Sequence, residues 1–160
     1  MNKNYIVLSI AYLIFAIPLS VMDSRKFRIS LPLLFAGSLV LVLSHIFFPV
    51  MPLTSWLKNL SVALISSFLV YFCTRILTAD GLGFGDMFFG MYSAVFTGFY
   101  MNMVATVFAA LLGVLYYLLL ALMSRIKKGQ SVHRPIFAIP FVPFITAGSL
   151  LAFFLFRFIA

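Results

Sequence analysis

The sequence predicts an all-α protein that crosses a membrane several times, and its composition and hydropathy lead to this fold class. Hydrophobic residues make up 64% of the chain and charged residues 9%, and the mean hydropathy is +1.19. About a quarter of the residues in a soluble globular domain are charged, so this composition excludes that class. Backbone polar groups in lipid must pair within their own segment, which favours helices. We therefore expect a single membrane domain, residues 1–160, solvated by the lipid bilayer.

Uncharged length predicts a bundle of about six transmembrane helices, because one span needs about 20 apolar residues. The uncharged stretch before Arg125 is too long for one crossing and predicts two helices with a turn near residues 98–102. The last span contains Pro140 and Pro143 and is predicted to be kinked. The first span is interpreted as a retained helix because no small-residue cleavage site precedes Asp23. The predicted spans are residues 5–22, 31–50, 59–74, two within 87–124, and 135–156.

The net charge of +8 predicts the orientation of these spans. Cytoplasmic loops of membrane proteins are enriched in Lys and Arg, and six crossings place eight of the eleven basic residues on one side. We therefore predict a multi-pass protein of the cytoplasmic (inner) membrane with both termini outside. No nucleic-acid partner is expected, because the basic residues are dispersed among apolar spans. The eight are Arg25, Lys26, Arg28, Arg75, Arg125, Lys127, Lys128 and Arg134.

Aspartates are the rarest charged residues in the chain, which has three of them and no glutamate. An aspartate at the centre of a membrane helix costs about 2.5–3.5 kcal/mol, so such acids face water or a partner. Asp23 ends the first predicted span and Asp86 begins the fourth, and both fall on the predicted cytoplasmic side. One interpretation is structural, with Asp23 paired to Arg25 or Lys26 and Asp86 paired to Arg75.

Glycines precede Asp86 in the segment GLGFGD, residues 81–86. Each glycine inside a helix costs about 1 kcal/mol relative to alanine, so three of them are not typical of a plain helix. Glycine lets a second backbone approach closely. We therefore predict that Gly83 and Gly85 allow a substrate peptide to lie beside Asp86. The alternative is a simple helix start with Asp86 as the N-cap residue.

The chain resembles the type IV prepilin peptidase and preflagellin peptidase family, membrane-embedded aspartyl proteases with a GxGD motif. The resemblance rests on residues 23–29 (DSRKFRI), 83–86 (GFGD) and 138–144 (AIPFVPF). Residues 30–31 (SL) replace the Pro and Asn that are usual in the family, and Phe88 replaces the usual Lys. The chain resembles the short form of the family, without the N-terminal part that carries zinc-binding motifs and is linked to methylation.

This resemblance implies an aspartic endopeptidase with Asp23 and Asp86 as its catalytic residues. The implied partner is a prepilin-like, preflagellin or pseudopilin precursor in type IV pilus assembly or protein secretion. Its short basic leader would be removed after a glycine at the cytoplasmic face. Two carboxyl groups sharing one proton can activate water and protonate a carbonyl, so no metal or other cofactor is expected. Asp80 is expected to be a loop acid.

Two other functions stay open at the level of sequence. A small ion- or proton-coupled transporter would use Asp23 and Asp86 as ion or proton sites and the glycines as a helix break. That function predicts polar groups near the membrane midplane, whereas these acids cluster at one face. A non-catalytic homologue would bind pilin-like helices without cutting them. The two histidines, His45 and His133, are interpreted as a packing residue and a solvated residue, not as metal ligands.

Overall fold

A computed structural model describes residues 3–78, 82–126 and 140–159. This part of the chain forms six helices and contains no strand, which confirms the predicted all-α fold class. The helices are α1 (Lys3–Lys26), α2 (Leu31–Phe47), α3 (Leu53–Leu77), α4 (Phe84–Thr97), α5 (Phe99–Ile126) and α6 (Val142–Ile159).

Helix length divides the six described helices into three long ones, α1, α3 and α5, and three shorter ones, α2, α4 and α6, of which α4 is the shortest. By length and composition, α1, α3 and residues 99–120 of α5 can each cross a membrane. Helix α2 and residues 142–156 of α6 are apolar but shorter. Helix α4 has 14 residues and is therefore about 21 Å long, which is less than the roughly 30 Å thickness of the hydrocarbon core. The protein is thus a membrane protein in which α4 lies outside the segments long enough to span the bilayer.

The helix boundaries differ from the predicted ones where charge was used to place them. Helix α3 includes both Lys58 and Arg75, the two charged residues that flank the predicted third span. The predicted turn between α4 and α5 is confined to Gly98, whose φ of +73° lies in the left-handed region that favours glycine. The side chain of Asn59 accepts a hydrogen bond from the N–H of Phe99 at 3.1 Å. One polar side chain of α3 therefore satisfies the first residue of α5.

The start of α6 corrects the prediction of a kinked last span. Pro143 lies in the first turn of α6, where a helix does not need the missing N–H, and no proline follows it within the described part of this helix. The prolines therefore mark the beginning of a helix and not a bend inside one. Residues 135–139, the rest of the predicted span, lie outside the described residues.

The core of the bundle surrounds α4, which packs against all five other helices. The ring of Tyr12, from α1, stacks on the rings of Tyr92 and Phe96 with centroid distances of 5.2 and 4.3 Å. The hydroxyl of Tyr92 donates a hydrogen bond to the backbone carbonyl of Tyr12 at 2.8 Å. This packing fixes the short helix in the centre of the bundle, with its N-terminus at the end where α1 finishes.

Helices α5 and α6 approach most closely at Gly148. A Cβ atom at this position would collide with the carbonyl oxygen of Ala105 and would lie 3.0 Å from the backbone nitrogen of Ala109. Both are backbone atoms of α5, so neither can move without moving the helix. At Gly113, by contrast, a Cβ atom would lie 3.3 Å from the ring of Phe141, a side chain that can shift.

We predict that Gly148→Ala lowers the melting temperature of the detergent-solubilised protein, because the added methyl group forces α5 and α6 apart. Overpacking of this kind costs about 1–3 kcal/mol. Gly113→Ala is the matched control, with the same chemical change on the partner helix; because a helical glycine costs about 1 kcal/mol relative to alanine, this variant is expected to melt at or above the temperature of the parent. Equal melting temperatures for the two variants would show that the contact at Gly148 is not tight.

Candidate active site

Asp23 lies in the last turn of α1 and is 6% exposed. Its Oδ2 atom accepts a hydrogen bond from the backbone N–H of Val142 at 3.1 Å. Val142 is the first residue of α6, so the carboxylate also lies at the positive end of that helix dipole. In the sequence, segment 138–144 is notable only for its resemblance to the family. In the structure, its residue Val142 donates a hydrogen bond to Asp23. Sequence reasoning missed Val142 because a main-chain donor leaves no side-chain signature, although Pro143 signals a helix start.

A pair of hydroxyl groups fixes the register of α1 against α6 one turn further into the bundle. Ser20 precedes Asp23 on α1, Thr146 follows Val142 on α6, and their side-chain oxygens are hydrogen-bonded at 2.9 Å. The hydroxyl of Thr146 donates to the carbonyl of Val142 at 3.0 Å, so Ser20 is the donor of the pair. The two contacts together hold the Val142 N–H opposite the carboxylate.

Asp86 occupies the third position of α4 and is half-buried. Its Oδ2 atom accepts a hydrogen bond from the N–H of Gly83 at 3.1 Å. Gly83 is the N-cap residue, in an extended conformation, so Asp86 closes the carboxylate half of a capping box. The alternative interpretation of Asp86 as the N-cap residue is therefore wrong by three positions, although the acid does stabilise the helix start.

The glycines of the second segment make room for the first segment. A Cβ atom at Gly85 would lie 2.8 Å from the Cδ1 atom of Ile29, and one at Gly83 would lie 3.3 Å from the Oδ2 atom of Asp86. Residues 23–29 and 83–86 therefore touch in the folded chain. This close approach of Ile29 is a structural reason for glycine that the sequence alone did not reveal.

One cavity of about 370 Å³ brings the predicted site residues together. Asp23 and Asp86 both line it, as do Gly83 and Gly85. Its other walls are mostly apolar and include Phe88, which stands at one of the positions that depart from the family pattern. The remaining lining residues are Phe27, Arg28, Ile29, Leu31 and Phe84.

Phe27 is a site residue that sequence reasoning missed. Its φ of +50° is unusual for a residue with a side chain, and its N–H donates to the carbonyl of Asp23 at 2.9 Å. The turn ends α1 at Lys26, within one helical turn of Asp23, and places residue 27 on the cavity wall. No composition or spacing signal predicts a left-handed phenylalanine.

Burial raises the pKa of Asp86 above its ordinary value to about 7, and the negative charge of Asp23 acts in the same direction. The hydrogen bond from Gly83 opposes this rise, because it stabilises the charged form. Near neutral pH the carboxyl group of Asp86 is thus about half protonated. Two carboxyl groups in one cavity, one of them with a raised pKa, suit the sharing of a single proton, which acid and base chemistry on one substrate requires.

The other sequence candidates are three residues outside the described part of the chain and one histidine at the other end of the bundle. Asp80, Gly81 and His133 lie outside the described residues. His45 stacks on Trp56 with a centroid distance of 5.0 Å, at the other end of the bundle. Within residues 3–78, 82–126 and 140–159, no group of three His, Cys, Asp or Glu side chains could hold a metal ion.

Comparison with known proteins gives one match. The sequence model of the type IV leader peptidase family matches residues 10–118 of the chain, a range that contains both cavity aspartates but not segment 138–144. No curated protein and no solved structure gives a significant match.

We predict that Asp86→Asn stabilises the protein more at pH 8 than at pH 4.5. The folded state holds the proton of Asp86 up to about pH 7, whereas the ordinary value is 3.8, so wild-type stability falls as pH rises through this interval. Asparagine cannot ionise, and its carbonyl oxygen still accepts from Gly83. Melting temperatures at both pH values measure the effect. A difference between variant and wild type that is the same at the two pH values would contradict the raised pKa.

Proposed function

The chain belongs to the type IV leader peptidase family, and on this premise we propose that it is a membrane-embedded aspartic endopeptidase with Asp23 and Asp86 as its catalytic pair. The observation that supports this proposal is that both carboxylates line one cavity of about 370 Å³. They come from the end of α1 and the start of α4, so the fold and not the local sequence unites them. Each carboxylate also accepts a backbone N–H, from Val142 and from Gly83, which orients it without a counter-ion.

In the proposed reaction, the ionised carboxylate takes a proton from a water molecule as the water oxygen attacks the scissile carbonyl carbon. The neutral carboxyl group donates its proton to the carbonyl oxygen, giving a tetrahedral diol. Collapse of the diol breaks the C–N bond: the departing nitrogen receives a proton from the pair, and one diol hydroxyl returns its proton to the pair as the new carboxyl group forms. One proton is then shared again by the two groups. The pair titrates as a unit, so the acid and base roles belong to it jointly.

The proposed substrate is a prepilin-like precursor with a short basic leader, a glycine before the cut and a hydrophobic helix after it. The apolar walls of the cavity suit the hydrophobic residues that begin such a helix, and its carboxylates are the only acids that the described residues offer to a basic leader. The proposed orientation has both termini outside the cytoplasmic membrane and the cavity at its cytoplasmic face. On the family resemblance, we propose that the protein acts in pilus assembly or in a related secretion pathway.

We predict that Asp23→Asn and Asp86→Asn each abolish leader removal, because either change leaves the pair unable to hold one acid and one base. Asp80→Asn, the same chemical change at an acid outside the described residues, is expected to keep substantial activity. The assay incubates purified protein with a prepilin-like precursor and identifies the new N-terminus by mass spectrometry. An Asp86→Asn variant that cuts at the wild-type rate would refute the catalytic assignment, and intact precursor with the wild type would refute the activity.

We predict that the cleavage rate falls as the pH rises above about 7. The reaction needs a shared proton, and the pKa of Asp86, about 7, sets the upper limit for holding it. Initial rates of precursor cleavage between pH 5 and pH 9 in detergent micelles measure this profile. A rate that keeps rising to pH 9 would mean that a doubly ionised pair is the active form, contrary to the proposed mechanism.

A further inference from the structure

Arg75 holds the two residues that flank Gly83. It lies in the last turn of α3, and its Nη1 atom donates a hydrogen bond to the carbonyl oxygen of Leu82 at 2.8 Å. The central carbon of its guanidinium group lies 3.8 Å from the centre of the Phe84 ring. The sequence suggested an ion pair between Arg75 and Asp86, but these contacts go instead to the segment that leads into α4.

The part of α3 that carries Arg75 is itself packed tightly against α4. Tyr71 lies one turn before Arg75 on α3, and its ring packs directly on Gly90, where a Cβ atom would overlap it. Tyr71 is 2% exposed, so this part of α3 cannot slide relative to α4. The guanidinium group of Arg75 therefore extends from a fixed position, and its charge-assisted hydrogen bond and cation–π contact restrain the backbone on both sides of Gly83.

The restrained N–H of Gly83 is the group that contacts the carboxylate of Asp86 at 3.1 Å. Glycine is the residue least able to hold its own backbone conformation, so the restraint has to come from its neighbours. We propose that Arg75 is a positioning residue for the cleavage reaction, which fixes Leu82 and Phe84 so that the Gly83 N–H stays on the Asp86 carboxylate. The inference rests on the proposed function, but its claim about the turn does not require cleavage to occur.

Loss of this restraint has a defined effect on protonation. Asp23 from α1 and Arg28 line the same cavity as Asp86. Tyr71 of α3 interacts with Asp86 electrostatically, and Arg75 of α3 contacts the two residues that flank Gly83. The Gly83 hydrogen bond lowers the pKa of Asp86, so a loosened turn raises it. The pH at which the cleavage rate declines then moves upward. At the same time, a smaller fraction of the enzyme molecules holds the Asp86 carboxylate in position, so the maximal rate falls.

The test compares Arg75→Gln and Arg75→Lys with Lys58→Gln as the matched control. Lys58→Gln removes the same charge from the exposed start of α3, about 25 Å along the helix from Arg75. Hydrogen exchange of the amides of residues 82–86, followed by mass spectrometry, is expected to be several-fold faster in Arg75→Gln and unchanged in Lys58→Gln. Arg75→Lys keeps the charge but lacks the planar fork, so its exchange is expected to lie between the two.

Cleavage kinetics supply the second measurement. We expect kcat for Arg75→Gln to fall about tenfold, which corresponds to roughly 1.4 kcal/mol of activation free energy, with KM changed less than twofold and the pH at which the cleavage rate declines moved upward. The inference is overturned if the amides of residues 82–86 exchange at the wild-type rate in the Arg75 variants. It is also overturned if Lys58→Gln accelerates their exchange as much as Arg75→Gln does. If the wild type cuts no precursor, the proposed function fails while the exchange result still decides whether Arg75 orders the turn. If Arg75→Gln does not fold, the inference is tested with Arg75→Lys alone: faster exchange and a lower kcat than the wild type support it, and wild-type values of both overturn it.

Discussion

Carboxylates in an apolar bundle need polar partners, and here the backbone supplies them. Asp23 accepts the first N–H of α6, and Asp86 accepts the N–H that precedes α4. Donors at helix starts are not used by the helix itself, so each bond satisfies two groups at once. Because each carboxylate has a backbone donor, the two acids can line one cavity, where the repulsion between their charges favours the sharing of a proton.

The short central helix makes this arrangement possible. A helix that crossed the whole bilayer would carry its first turn to the membrane surface, whereas the 14 residues of α4 end inside a ring of longer helices. Its N-terminus therefore lies beside the end of α1, and the contact of Gly85 with Ile29 closes the distance between the two segments. Arg75, anchored through α3, holds the same turn from the other side.

The sequence predicted the fold class and most helices because hydrophobic length is a local property that the bilayer enforces. It failed for α4, whose shortness follows from Gly98 and from packing around Tyr12, and for Pro143, which begins a helix instead of bending one. The aspartates were found through their rarity and the glycines beside Asp86. Val142, Phe27 and Arg75 could not be found in this way, because a backbone donor, a left-handed turn and a cation–π contact arise only when distant segments meet.

The central claim is that positions 23 and 86 converge on one cavity, and disulfide formation tests it most directly. In a Cys73→Ser background, Asp23→Cys combined with Asp86→Cys is oxidised in native membranes and scored by protease digestion and mass spectrometry. Ser20→Cys with Thr146→Cys, whose parent oxygens are 2.9 Å apart, is the positive control, and Asp23→Cys with Lys58→Cys is the negative control. The account predicts a disulfide between positions 23 and 86 as well as in the positive control. A positive control that crosslinks while the 23–86 pair stays reduced would contradict it.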